Sequence, residues 1–215
     1  MLLEQQRKKI IYTAKKSQEM GLIPLTFGNF SLRDKETGYI CITPSGMDYQ
    51  ELKPEDIVVV DADCNVIDGE RKFSIETPMH CMVFRNRPDV NGICHTHSVF
   101  ATAWASTNNC LPAVVAELVA LVGGTVDTAP YRPMGSVELA EVVTETLKDK
   151  YAVLMANHGL LAVGPDIETA FVNSVIVEEG AKTTYYASNI GKVNIIPEED
   201  CKMLRQWVIE KYGQK

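Results

Sequence analysis

Histidine is scarce in this chain, four among 215 residues, and no apolar run is long enough to suggest a membrane span. The most apolar segment, "LPAVVAELVALVGG", is short and carries Glu117. Six cysteines (Cys41, Cys64, Cys81, Cys94, Cys110, Cys201) stand without any CxxC spacing. That excludes a disulfide framework and a zinc knuckle. HEXXH, a Walker loop and a dinucleotide fingerprint are also missing, so those metalloprotease and nucleotide-binding classes fall away. Positive charge is in deficit, with a net charge of −7. A nucleic acid or an anionic membrane is therefore not expected as a partner, although a local pocket could still take a small anion. The N-terminus, "MLLEQQRKKIIYTAKK", lacks the apolar core of an export signal. Together with the unpaired thiols, this reads as a cytoplasmic protein.

Repeats, low-complexity tracts and Pro/Ser-rich linkers are absent too, so residues 1–215 read as a single domain. The spacing predicts a helix over 2–20, with Leu3, Ile10, Ile11 and Ala14 on one face. A hairpin follows over 28–34 and 39–43, turned by "KETG". "DIVVVD" reads as a buried strand, "DADCN" as a turn, and Val66–Ile67 as a short strand. Thr77-Pro78 opens a helix over 77–86. "VNGICHTH" is a strand and 98–107 a helix. Ser136 caps a helix over 136–148. "YAVLMANHG" and "LLAVG" are strands, and Asp166 caps a long helix to about Ser188. The last helix is expected over 198–212. Strands and helices are mixed, with hairpins at both ends. The expected fold is α/β, a single domain with a largely antiparallel central sheet and helices on both faces.

Two of the four histidines stand in "GICHTHSVF". On a strand, residues i and i+2 share a face, so His95 and His97 project side by side, roughly 7 Å apart at Cβ. Cys94 and Thr96 point the other way. His158 follows a second apolar strand in "LMANHGLLAVG", and Gly159 allows a turn or a close approach after it. Three imidazoles and an open position make a catalytic zinc arrangement. Hydrogen-bonded core histidines are the competing reading.

A metal that polarises a carbonyl needs a base beside it. Glu76 in "KFSIETPMH" is the candidate, with helix capping by Ser74 or Glu76 as the plain alternative. His80, four residues on, could hydrogen-bond to it and is read as structural. "TFGNFS" and "TPSGMD" offer small residues and hydroxyls that could hold an anion. Ordinary turns would look the same.

"GNFS", "TPSG", "SIETPMH", "HTH" and "NHGLLAVG" occur in order along nearly the whole chain. In this the chain resembles the class II aldolase/adducin-head family, and most of all its members that cleave L-fuculose 1-phosphate. The resemblance implies a C4 homotetramer with active sites at subunit interfaces and one Zn²⁺ per subunit. It implies that His95, His97, His158 and Glu76 ligate the metal, and that Glu76 is also the catalytic acid/base. Gly28, Asn29, Ser45, Gly46 and Ser74 match positions that hold the phosphate, and Ile75 replaces a second serine there but keeps its backbone N–H. Tyr212 matches a catalytic tyrosine that closes over the aldehyde end. The implied reaction yields dihydroxyacetone phosphate and a small aldehyde such as L-lactaldehyde through a zinc-stabilised enediolate.

Departures cluster at the aldehyde end: Ala116 or Glu117 stands where a tyrosine is expected, and Met134 where an aromatic residue is expected. They keep open an aldolase for another substrate, such as 5-deoxyribulose 1-phosphate. An L-ribulose-5-phosphate 4-epimerase-type enzyme is a further alternative. Such relatives typically carry aspartate in place of Glu76 and a longer segment before the third histidine. A non-catalytic module like the adducin head would be expected to lose the metal ligands, which are all present.

Overall fold

Hydrophobic alternation builds one sheet that is covered on both faces. The computed structural model describes residues 1–211. The strands are β1 (Gly28–Arg33), β2 (Ile40–Ile42), β3 (Val58–Val60), β4 (Val66–Asp68), β5 (Gly92–Thr96), β6 (Thr128–Ala129), β7 (Ala152–Met155) and β8 (Gly159–Gly164). They lie side by side in the order β4-β3-β2-β1-β5-β8-β7-β6. Every pairing is antiparallel except β6 with β7, which is parallel. The sheet is thus mixed but largely antiparallel, as the hairpin pattern predicted.

The helices are α1 (Glu4–Glu19), α2 (Thr77–Asn86), α3 (Val99–Ser106), α4 (Val137–Leu147), α5 (Ile167–Ile190) and α6 (Glu198–Lys211). On one face, Ile40, Ile42, Val58, Val60, Ile93 and Val163 pack with Met79, Val83 and Phe84 of α2 and Leu139 and Val143 of α4. On the other, Phe30, Leu32, Cys41, Val59 and Cys94 pack with Ile10 and Ala14 of α1 and Ile167 and Ala170 of α5. The period-2 switch is clean along β5: Ile93 goes to the α2 side, Cys94 to the α1 side. Toward the β7 edge, Leu154 and Leu160 bury Ala101 and Ala105 of α3 with Leu118 and Val177.

Element ends follow the predicted caps. Ser136 Oγ accepts from Leu139 N–H, and Asp166 Oδ1 accepts from Thr169 N–H. Several short elements escaped sequence reading, among them 3₁₀ turns at Tyr49–Glu51 and Pro54–Asp56. A π-helical turn covers Leu118–Val122, and β6 has only two residues. The first helix starts at Glu4, because Leu3 is left-handed at φ 55°. Its buried face also includes Arg7, 1% exposed, which donates to the carbonyls of Leu2, Pro54 and Ile57 and pairs with Asp68 at 2.6 Å. This buried cation ties α1 to the β4 edge.

The start of β5 passes tightly beneath the start of α5. A Cβ at Gly92 would stand 2.4 Å from backbone atoms of Asp166 and Ile167. Gly92→Ala is therefore expected to cost about 1–3 kcal/mol through overpacking, read as a lower urea midpoint. An unchanged midpoint would mean that the α5 cap yields without cost.

Candidate metal centre and active site

The centre of the sheet delivers the histidines. His95 lies on β5 between β1 and β8, pairing with Asn29 and with Leu161. It is fully buried on the α2 side. His97 follows one residue past the end of β5, and His158 sits in the turn joining β7 to β8. Asn157 takes the left-handed conformation of that turn, at φ 57°. Gly159 is instead required for close approach: a Cβ there would lie 2.5 Å from Thr96 O and 3.3 Å from the His97 ring.

The three rings converge. Their centroids are 4.7, 4.9 and 5.0 Å apart at steep mutual angles, with one nitrogen of each within 4.8 Å of the others. His95 Nδ1 donates to Leu160 O at 2.9 Å. With Nδ1 so engaged, Nε2 is the nitrogen turned toward the cluster, the usual way a second hydrogen bond orients a metal-binding imidazole. That Nε2 stands 2.9 Å from His97 Nε2 and 3.0 Å from Glu76 Oε2.

Glu76 immediately precedes α2 and is 5% exposed. Its carboxylate makes no capping bond, so Glu76 itself is not the cap, whereas Ser74 Oγ accepts from Glu76 N–H at 3.3 Å at the helix entry. Oε2 accepts from Asn29 Nδ2 at 2.9 Å. Oε1 lies 3.3 Å from His158 Nε2 and is buried without a hydrogen bond. A buried carboxylate oxygen with no donor, facing three inward lone pairs, is costly unless a cation lies among them. The donor set of three imidazoles with an adjacent carboxylate fits a divalent ion of the zinc type.

The same crowding sets the acid–base balance. Burial opposes ionisation of Glu76, but the charge and hydrogen bond of His95, the charge of His158 and the Asn29 amide outweigh it. The carboxyl is held well below the usual range. Burial likewise disfavours charge on His95, and Glu76 reverses that and raises it. Burial and the His95 charge lower His97 to about 3 and His158 to about 4. Both therefore offer free nitrogens at neutral pH.

The "TPSGMD" segment is joined to the stretch that leads into Glu76. Pro44 and Phe73 form a β-bridge, Ser45 N–H donates to Lys72 O at 2.9 Å, and Ser74 N–H donates to Thr43 O at 3.2 Å. Ser45 and Gly46 are exposed, as is Ile75, while Ser74 is buried two residues before Glu76. Gly28 is half-buried, and its carbonyl accepts from the Tyr49 hydroxyl. Asn29 has both side-chain polar atoms engaged within the protein, one on Glu76 and one on His80. His80 thus reaches Glu76 through Asn29 and not directly.

Ala116 and Glu117 are exposed in the helical lead-in to the π-helical turn and Met134 is exposed in a turn, while Gly135 abuts the Ile75 carbonyl. Tyr212 lies outside the described residues. Sequence reading overlooked Phe27, whose 57% exposed ring stacks on His97 at 6.2 Å. It also overlooked the Leu160 carbonyl. Ser31, read as one of the anion-loop hydroxyls of "TFGNFS", instead meets His80 Nδ1 at 2.6 Å.

The chain was compared with known proteins. A sequence profile of the Class II Aldolase and Adducin N-terminal domain matches residues 8–185. A 5-deoxy-D-ribulose 1-phosphate aldolase from Bacillus thuringiensis serovar kurstaki is 41% identical over 215 residues, covering 100% of both chains. Among solved structures, an L-fuculose 1-phosphate aldolase superposes with a TM-score of 0.93 at 36% identity, covering 96% of this chain and 97% of that one. The L-fuculose-1-phosphate aldolase of Thermus thermophilus superposes with a TM-score of 0.75 at 26% identity, covering 85% of this chain and 94% of that one. Fold, histidine cluster and sequence agree: the chain belongs to the class II aldolase and adducin N-terminal domain family.

Proposed function

We propose that this protein is a zinc-dependent lyase that cleaves a ketose 1-phosphate into dihydroxyacetone phosphate and a small aldehyde. His95, His97 and His158 would hold the metal, with Glu76 as fourth ligand and acid/base. The observation that carries this reading is the buried Glu76 carboxylate, one oxygen without a hydrogen bond, against three converging imidazoles. When bound, Zn²⁺ supplies the positive charge that stabilises electrons left beside the ketone as the C3–C4 bond breaks.

The chain's own groups account for the rest. Glu76 is ionised at neutral pH and so is able to accept a proton. Moving it away from His95 and His158 removes the charges that depress its pKa. Burial then raises its proton affinity and makes it a stronger base. In condensation it takes the C3 proton of dihydroxyacetone phosphate while the aldehyde oxygen takes a proton from solvent, and in cleavage both transfers reverse. The phosphate falls to the Gly28–Asn29 start of β1 and the joined Ser45–Gly46 and Ser74–Ile75 segments. Phe27 gives the open side of the cluster an apolar wall.

Full-length identity to the Bacillus enzyme favours 5-deoxy-D-ribulose 1-phosphate, whose cleavage releases acetaldehyde. L-Fuculose 1-phosphate, which releases L-lactaldehyde, is the second reading, supported by the close backbone match to such an aldolase. Glu76 and the short segment from His97 to His158 weigh against an L-ribulose-5-phosphate 4-epimerase. The proposal includes a cytoplasmic homotetramer with interfacial sites, in which Tyr212 closes over the aldehyde. No helix among the described residues is long and apolar enough to cross a membrane.

The test is release of dihydroxyacetone phosphate from the two sugar phosphates, with and without a chelator. Chelator-sensitive release, faster from the 5-deoxy substrate, is expected. No release from metal-loaded protein would overturn the aldolase reading. Glu76→Gln should keep most of the bound metal while kcat falls about 10²–10⁴-fold, and an active variant would remove Glu76 from the mechanism. His97→Ala should lose both metal, measured by elemental analysis, and turnover.

A further inference from the structure

Behind Glu76 runs a polar chain, through Asn29 to His80 and Ser31, whose last two members the proposed reaction does not use. Asn29 and Ser31 project to the same face of β1, opposite His95 and Ile93 of β5. His80, one turn along α2 from Glu76, enters between them. Its Nε2 lies 2.6 Å from Asn29 Oδ1 and its Nδ1 2.6 Å from Ser31 Oγ. Asn29 Nδ2 then reaches Glu76 Oε2 at 2.9 Å. His80 and Ser31 are fully buried, and Asn29 and Glu76 are each 5% exposed.

The direction of these hydrogen bonds follows from the chain's end. An ionised carboxylate only accepts, so Asn29 must turn its NH₂ to Glu76. Its carbonyl oxygen then faces His80, whose Nε2 must carry the hydrogen. Nδ1 is left as an acceptor for the Ser31 hydroxyl. A reversed amide would set oxygen against oxygen at the carboxylate. Burial, first, and the His95 charge, second, push the His80 pKa down to about 3, consistent with a ring that stays neutral.

We propose that His80 is a positioning residue: as a neutral Nε2–H imidazole it locks the Asn29 amide into donating to Glu76 Oε2. The two oxygens of Glu76 thereby become unequal. Oε2 is held by Asn29, while Oε1 has no hydrogen bond. The His80 side chain hydrogen-bonds to Asn29 and Ser31 and not to a proposed metal ligand. The kinetic arm of the test rests on the aldolase reading, and the spectroscopic arm does not.

Histidine-selective ¹⁵N NMR on the zinc-loaded protein at neutral pH should find His80 as the Nε2–H tautomer. An Nδ1–H tautomer or a doubly protonated ring would overturn the proposal, whatever the substrate. For kinetics, His80→Gln and His80→Asn form a matched pair. The glutamine amide nitrogen can take the place of Nε2 and still donate to Asn29, whereas asparagine reaches only the Nδ1 position. His80→Asn should lower kcat about 10–100-fold, with KM and bound zinc unchanged, and His80→Gln should stay within about threefold of the parent. A merely structural histidine would give equal losses in both variants, and that result would overturn the proposal. So would a loss carried by KM or by metal content. If the parent protein cleaves no ketose 1-phosphate, the functional reading fails while the NMR result still decides the role of His80. The same holds if His80→Asn does not fold.

Discussion

A buried carboxylate cannot be left alone, and the arrangement around Glu76 answers that constraint. Coulomb attraction grows as water is excluded, but so does the cost of stranding a charge. Glu76 meets the cost on one oxygen through Asn29 and leaves it unmet on the other. The open side faces imidazoles whose own tautomers are constrained, His95 by the Leu160 carbonyl. The structure thus concentrates a deficit of positive charge at one point. Everything that fixes the point lies in the middle of the sheet, where β1, β5 and β8 are paired on both sides.

Regular structure supplies this accuracy cheaply. Asn29 and His95 are cross-strand partners, so their side chains share a face without any special loop. α2 lies over that face and brings Glu76 and His80 down together, four residues apart on one side of a helix. Only His97 and His158 depend on chain ends. There the backbone of Gly159 comes so close to Thr96 that no side chain would fit.

Much of this was legible in the residues because it is periodic. Alternation in "GICHTH" separated His95 from Cys94, and the structure sends them to opposite faces. Caps at Ser136 and Asp166 marked two helix starts. What stayed hidden was non-local or too short to carry a period. The two-residue β6 exists only through its pairing with β7. The π-helical turn at Leu118–Val122 lies in a segment whose uniform apolarity hides its winding. Arg7 sat unnoticed on an apolar helix face because its partners are carbonyls far along the chain. The link from His80 to Glu76 through Asn29 needed the β1–β5 register, which no single segment encodes.

The exposed positions that set this chain apart, Ile75, Ala116, Glu117 and Met134, lie outside the strands that carry or flank the histidines. Drift at such sites is mechanically insulated from the cluster, because a strand hydrogen-bonded on both sides resists what a loop absorbs. A lineage built on this scaffold can therefore explore new partners for the reaction one such site at a time. The histidine cluster comes through such a step unaltered wherever the changed residue lies away from Glu76.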